Sequence, residues 1–206
     1  MTIPILHEPP LRQWLAVLKK AYALMDRAAG KGVADMALRH PAGLACRPGC
    51  AHCCRGVIPV SAPELAGAFL YAAQNCSGGD RHRIERRLQE RPFGECPFLL
   101  NEKCAVYPAR FLACRQFFIF GRACAAGEDV WYTRRGDIPA PGQDDKRKAF
   151  ALLASFYACV PHSGAPGRFI EGVSAPLHLW NLRRPEAIID DLERGRLHAP
   201  GVPESG

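Results

Sequence analysis

The chain lacks any apolar run long enough to cross a bilayer: its longest, Ala149–Val160, falls well short of the roughly 18 residues a span needs. Met1–Pro10 has neither a basic start nor an apolar core segment, so no secretory leader is read there and the expected compartment is the cytoplasm. Internal repeats, long low-complexity tracts and a clean linker are also missing, and 206 residues suit one domain, 1–206, with enough chain to bury a core. No Ser/His/Asp series, phosphate-binding glycine loop or paired-carboxylate arrangement stands out, which leaves catalysis without an assigned residue. Charged residues at 23% against 48% apolar rule out a disordered composition.

What the chain does have is cysteine. Ten in 206 is too sparse for a disulfide scaffold, and four of them, Cys46, Cys50, Cys53 and Cys54, fall within nine residues. Thiols in a reducing compartment rarely form structural bridges, so metal binding is the expectation for this cluster. Cys96, Cys104, Cys114 and Cys124 follow in a second group, around Pro48, Gly49 and Pro97, which suit a backbone curling about an ion. Cys76 and Cys159 are expected to be small buried residues, one at a helix end and one on an apolar helix face. His52, inside the first group, is a further candidate ligand but is expected to be exposed.

The periodicity predicts a mainly α fold with irregular loops and little β, organised around a cysteine metal site. An amphipathic helix is expected over Leu11–Ala29, with Leu11, Trp14, Leu15, Leu18, Tyr22 and Met25 on its apolar face and Gly30 ending it. Lys31–Leu44 then reads as a small-residue connection, and Val57–Val60 as a short extended segment. Ser61-Ala62-Pro63-Glu64 has capping-box spacing ahead of a helix with Leu65, Ala68, Phe69 and Ala72 on one face, stopping near Asn75–Gly79. Asp80–Arg91 reads as a polar helix with only Ile84 and Leu88 for a core. Pro92–Cys124 reads as loop with aromatic anchors, and Glu128–Thr133 as a strand. A helix capped by Asp144 or Asp145 should run to Cys159, and a last one from Pro185 to Gly195 should bury Ile188, Ile189 and Leu192. Residues 46–124 would form the metal-binding core and 144–195 a C-terminal helical part.

The formal charge of +7, with Lys and Arg at 27 against 20 Asp and Glu, permits a nucleic-acid partner, and Arg81, Arg83, Arg86, Arg87 and Arg91 crowd one stretch. A solvated basic face is the preferred account, and a zinc-stabilised nucleic-acid binder the alternative.

The order Cys46-x3-Cys50-x2-Cys53-Cys54, then Cys96-Pro97-Phe98-Leu99, then Cys104-x2-Tyr107-x2-Arg110-Phe111-x2-Cys114-Arg115 resembles the YkgJ-type cysteine-cluster family, a zinc- or iron-chelating family. Phe111 departs from it, standing where the family usually has proline. Thiolate ligation is expected from Cys46, Cys50, Cys53, Cys54, Cys96, Cys104, Cys114 and Cys124, and the resemblance adds Tyr107, Arg110 and Arg115 beside the bound group, where a guanidinium would offset thiolate repulsion. Only Cys50 and Cys53 have zinc-knuckle spacing, and short irregular all-cysteine spacing favours a [4Fe-4S] cluster slightly over zinc. The expected function is therefore metal binding in redox or metal-handling work. Cys46-x3-Cys50-x2-Cys53 also has radical S-adenosylmethionine spacing, and the cluster is similar to that of flagellin lysine methylases. Cluster-dependent methyl transfer is the enzymatic alternative. Neighbouring Cβ vectors diverge, so Cys53 should join Cys46 and Cys50 while Cys54 faces the second group.

Overall fold

The computed structural model describes residues 13–90, 95–157, 170, 173–176, 185–195 and 197. It is mainly helical, and no helix among these residues is long and apolar enough to cross a membrane. Helix α1, Gln13–Ala37, buries Trp14, Leu18, Ala21, Tyr22, Met25, Ala28, Ala29 and Gly32, a continuous stripe at steps of three and four residues. The predicted stop at Gly30 does not occur. The helix continues because Gly32 lets it lie against the segment before α6 (Gln143–Ala154): a Cβ at Gly32 would stand 2.2 Å from the Ala140 carbonyl oxygen. The Gly142 N–H donates to the Ala28 carbonyl at 2.8 Å, and Arg27 forks onto Asp145 with two 3.1 Å bonds. Leu11, expected on this stripe, lies outside the described residues.

Helix α2, Ala62–Asn75, is buried along Ala62–Leu70 rather than on one face, because it runs between α1 on one side and α7 (Pro185–Glu193) on the other. Gly67 admits α1 closely, its missing Cβ lying 2.5 Å from a Leu18 methyl. The capping signal holds: both the N–H and the hydroxyl of Ser61 donate to the Glu64 carboxylate. The extended segment ahead of it is the two-residue strand β1, Pro59–Val60, paired antiparallel with β4, Ala175–Pro176. Helix α3, Gly78–Glu90, is the polar helix expected, docked by Ile84 and Leu88.

The stretch expected to be plain loop is more ordered than that. Strands β2 (Leu99–Leu100) and β3 (Lys103–Cys104) pair through a two-residue turn, with Asn101 and Glu102 both at positive φ (50° and 60°). This is the backbone a tight hairpin needs. A 3-10 turn at Tyr107–Ala109 and the short helix α4, Leu112–Gln116, follow. Phe111 enters α4 at φ −64° and ψ 158° after Arg110 at −63° and 151°, a backbone that proline itself adopts, and its ring is buried edge-on against Phe98.

The strand expected at Glu128–Thr133 is instead a helical turn, α5 (Val130–Thr133), because the Asp129 carboxylate accepts the Trp131 N–H and caps it. Neither Asp144 nor Asp145 caps α6. Gly142 precedes it and both carboxylates sit in its first turn, where the helix dipole favours them. It ends at Ala154, and Tyr157 reaches a bridge to Leu197. Cys159 and Val160 lie outside the described residues. Ile188, Ile189 and Leu192 of α7 are buried as predicted.

Candidate functional site

After α1 the chain returns beside the 119–121 segment. Leu44 bridges Phe120, the Gly121 N–H donates to the Gly43 carbonyl, and the Ile119 N–H donates to the Cys46 sulfur at 3.4 Å. A β-turn with Pro48 and Gly49 at its centre, Gly49 at φ 84°, carries the chain to Cys50, whose N–H closes onto the Arg47 carbonyl at 3.0 Å. Cys53 and Cys54 share one 3-10 turn, His52–Arg55.

That turn is tied directly to the second group. The Cys54 carbonyl accepts the Cys96 N–H at 2.7 Å. Arg55 pairs with Glu95 at 3.6 Å and, more closely, with Glu102 in the hairpin turn. Cys96, 7% exposed, begins the hairpin, and Cys104 sits on its return strand opposite Leu99. Cys114 stands on α4, while Cys124 lies in a loop held by Glu128, whose carboxylate accepts from Arg122, Arg134, the Ala125 N–H and the Thr133 hydroxyl. Cys76 is apart from this, its thiol facing the Ala105 carbonyl at 3.8 Å from the end of α2. His52 is half-buried and close enough to Glu102 to favour that carboxylate's charge.

The thiols act on one another. Burial pushes Cys46 up, and the neighbouring charges of Cys50, Cys53 and Cys124 push it further. Cys54 is driven well up by sharing a hydrogen bond with Cys53, by burial, and by Cys96 and Cys114. Cys53 is correspondingly lowered to about 7, because its thiolate accepts the Cys54 proton. Burial pushes Cys96 up to about 12 and Cys114 well above the usual thiol value, again with thiol neighbours contributing. Cys104 is raised mainly by burial, against the pull of the Arg110 and Arg115 guanidinium groups. The amides just after Cys96 and Cys104 favour their thiolates against that burial, while the Leu99 N–H itself bonds the Cys96 carbonyl at 3.0 Å. The eight thiols predicted as ligands are thus brought into one region. No group of three or more His, Cys, Asp or Glu side chains among the described residues is arranged to hold a metal ion as it stands.

Arg110 and Arg115 each lie over a tyrosine ring, the Arg110 guanidinium 4.0 Å over Tyr107 and that of Arg115 4.1 Å over Tyr22. Arg115 is 4% exposed; it donates to the carbonyls of Arg110 and Pro108 and to Asp26 at 2.7 Å, so it clamps α4 to α1. Three contributors were not singled out as site residues by the sequence. Asp26 binds both arginines from α1, and the Tyr22 ring lies under one of them. Glu64 was legible only as a cap, yet its second oxygen accepts the Leu112 N–H at 2.6 Å and so joins α2 to α4. Burial raises this carboxyl above its ordinary range despite those donors.

The arginines of α3 have partners within the fold. Arg81 donates to the Ala73 carbonyl, Arg83 pairs with Asp80, and Arg87 donates to the Leu99 carbonyl and pairs with Glu95. Arg91 lies outside the described residues. No family model matches the chain, nor does any curated protein or any solved structure.

Proposed function

We propose that this chain is a cysteine-cluster metal-binding protein that takes an iron–sulfur cluster or zinc and works in redox or metal handling. The observation that carries the proposal is that the turn bearing Cys53 and Cys54 is bonded directly to the second group, the Cys54 carbonyl accepting the Cys96 N–H at 2.7 Å, so that thiols from two separate stretches of chain are close enough to act on one another's charge. Collecting that many thiols raises their pKa values through burial and mutual repulsion, and a bound soft cation relieves this cost by replacing the protons.

The donor chemistry fits the group: cysteine sulfur suits zinc and iron–sulfur clusters, and amide hydrogen bonds to sulfur tune both. Cys46, Cys50, Cys53, Cys54, Cys96, Cys104, Cys114 and Cys124 would hold it. Bound there, the group would supply charge neutralisation and, as an iron–sulfur cluster, one-electron transfer. Arg110 and Arg115 offset thiolate charge near Cys104, and Arg115 keeps α4, which carries Cys114, fixed on α1.

Anaerobic purification followed by elemental analysis and a visible spectrum tests the proposal. Iron with acid-labile sulfide and a broad charge-transfer band is the expected result. Colourless protein with stoichiometric zinc would keep the function and change the metal; a chain that retains neither would overturn it.

A further inference from the structure

The sequence crowds its arginines into Asp80–Arg91, but the structure uses several of them to hold the fold. Arg81 and Arg87 donate to backbone carbonyls, Arg83 pairs with Asp80, and Arg87 pairs with Glu95. A guanidinium turned outward beside aromatic rings is found elsewhere, on α5 and the residues just after it.

Trp131 and Tyr132 are consecutive in α5 and are 45% and 83% exposed. The Arg135 guanidinium lies 4.4 Å over the Trp131 ring, and no carboxylate among the described residues pairs with it. Stacking occupies the flat face of a guanidinium and leaves the N–H donors at its edge free.

The three carboxylates of this stretch are engaged by the scaffold instead. Glu128 accepts from Arg122, Arg134, the Ala125 N–H and the Thr133 hydroxyl. Asp129 accepts the Trp131 N–H, while Asp137 accepts from Arg134 at 2.7 Å and lies 3.6 Å from His40. The backbone is fastened as well: the Thr133 and Arg134 N–H groups donate to the Asp129 and Val130 carbonyls, and the Phe120 N–H to the Asp137 carbonyl. The two rings thus stand on a braced turn. A surface already held in place loses little freedom when it binds.

Consecutive residues of a helical turn project about 100° apart, so Trp131 and Tyr132 cannot offer one flat face. A ligand that meets both rings must be flexible and carry flat groups in series. The free edge of Arg135 calls for an anion between those groups. Single-stranded nucleic acid alternates the two, whereas a duplex hides its base faces and an acidic peptide has the charge without the rings. The formal charge of +7 draws such a polyanion to the chain.

We propose that Trp131, Tyr132 and Arg135 form a binding surface for single-stranded nucleic acid, the rings stacking on bases and the Arg135 guanidinium donating to phosphate. None of the three is a thiol of the cysteine cluster, so this surface is independent of the metal-binding proposal.

Fluorescence anisotropy of a labelled thymidylate dodecamer, titrated with the full chain at low salt, tests it. Binding is expected, weakening steeply as salt rises because counterions are released on association. Trp131→Ala and Tyr132→Ala should each weaken it about fivefold or more, the loss of one stacked base. Arg135→Ala should weaken it and lower the salt slope by about one. Arg83→Ala on α3 should leave it within about twofold, as an uninvolved surface residue does. Polyglutamate should compete far less well than unlabelled thymidylate. The proposal is overturned by no binding at low salt, by ring variants that bind like wild type, or by Arg83→Ala costing as much as Arg135→Ala. Polyglutamate competing as well as thymidylate also overturns it and makes the surface a site for acidic protein. Should Trp131→Ala fail to fold, Tyr132→Ala, at the more exposed position, decides the matter.

Discussion

Glu64 shows how one side chain can do local and long-range work at once. One carboxylate oxygen closes the capping box at the start of α2, and the other takes the first N–H of α4, where a short helix could not satisfy it otherwise. The residue is 3% exposed, so its removal leaves buried donors with no water to turn to. Glu64→Ala should therefore destabilise the chain by about 1–3 kcal/mol, the cost of unsatisfied buried donors. A urea midpoint shift measures it, and a change under about 0.5 kcal/mol, the range of ordinary surface substitutions, would contradict this role. Arg115 is a parallel case: its donors end on two carbonyls and Asp26, which makes it a clamp between α1 and α4 as well as a counter-charge for Cys104.

At the scale of the element, α1 separates propensity from packing. Gly30 and Gly32 both weaken the helix by intrinsic preference, and either would pass for a stop in the sequence. Gly30 is exposed, and a methyl group added there would have nothing within 4 Å, so Gly30→Ala should stabilise by about 0.5–1 kcal/mol. Gly32 faces the Ala140 carbonyl at a distance no methyl tolerates. Gly32→Ala should destabilise by about 1–3 kcal/mol, because overpacking against backbone outweighs a propensity gain of about 1 kcal/mol. Paired thermal melts check the sign reversal; two stabilising substitutions would mean that α1 and the segment before α6 do not pack as described.

For the whole molecule, the contacts divide into two kinds. Helices α1, α2, α6 and α7 are joined by apolar burial and backbone approach, whereas the two cysteine stretches are joined to each other through the turn at His52–Arg55, ion pairs of Arg55 and the short backbone pairing of 43–46 with 119–121. Ion pairs on half-exposed side chains contribute little, typically about 0–1 kcal/mol, so this second region depends most on a bound metal. Chelation should then lower hydrogen-exchange protection at Cys96–Cys104 and Leu112–Gln116 by tenfold or more, while the interior of α1 keeps its own. Unchanged protection in the cysteine stretches after complete metal removal would show that metal does not hold them.

The amino-acid sequence alone determined the helical class, the faces of α1 and α7, the Ser61–Glu64 cap and the candidate thiols, because each rests on a repeat or spacing within a few residues. It misjudged Gly30, the hairpin at Asn101–Glu102 and the turn at Val130–Thr133, where a close approach, a Glu held at positive φ and a capping Asp129 decided against local preference. Only the tertiary structure set the chain before Cys50 beside the segment before Cys124 and joined Glu64 to Leu112. Those relations arise where distant segments pair, 43–46 with 119–121 and α2 with α4, and pairing between distant segments depends on how the whole core packs, which no local pattern encodes.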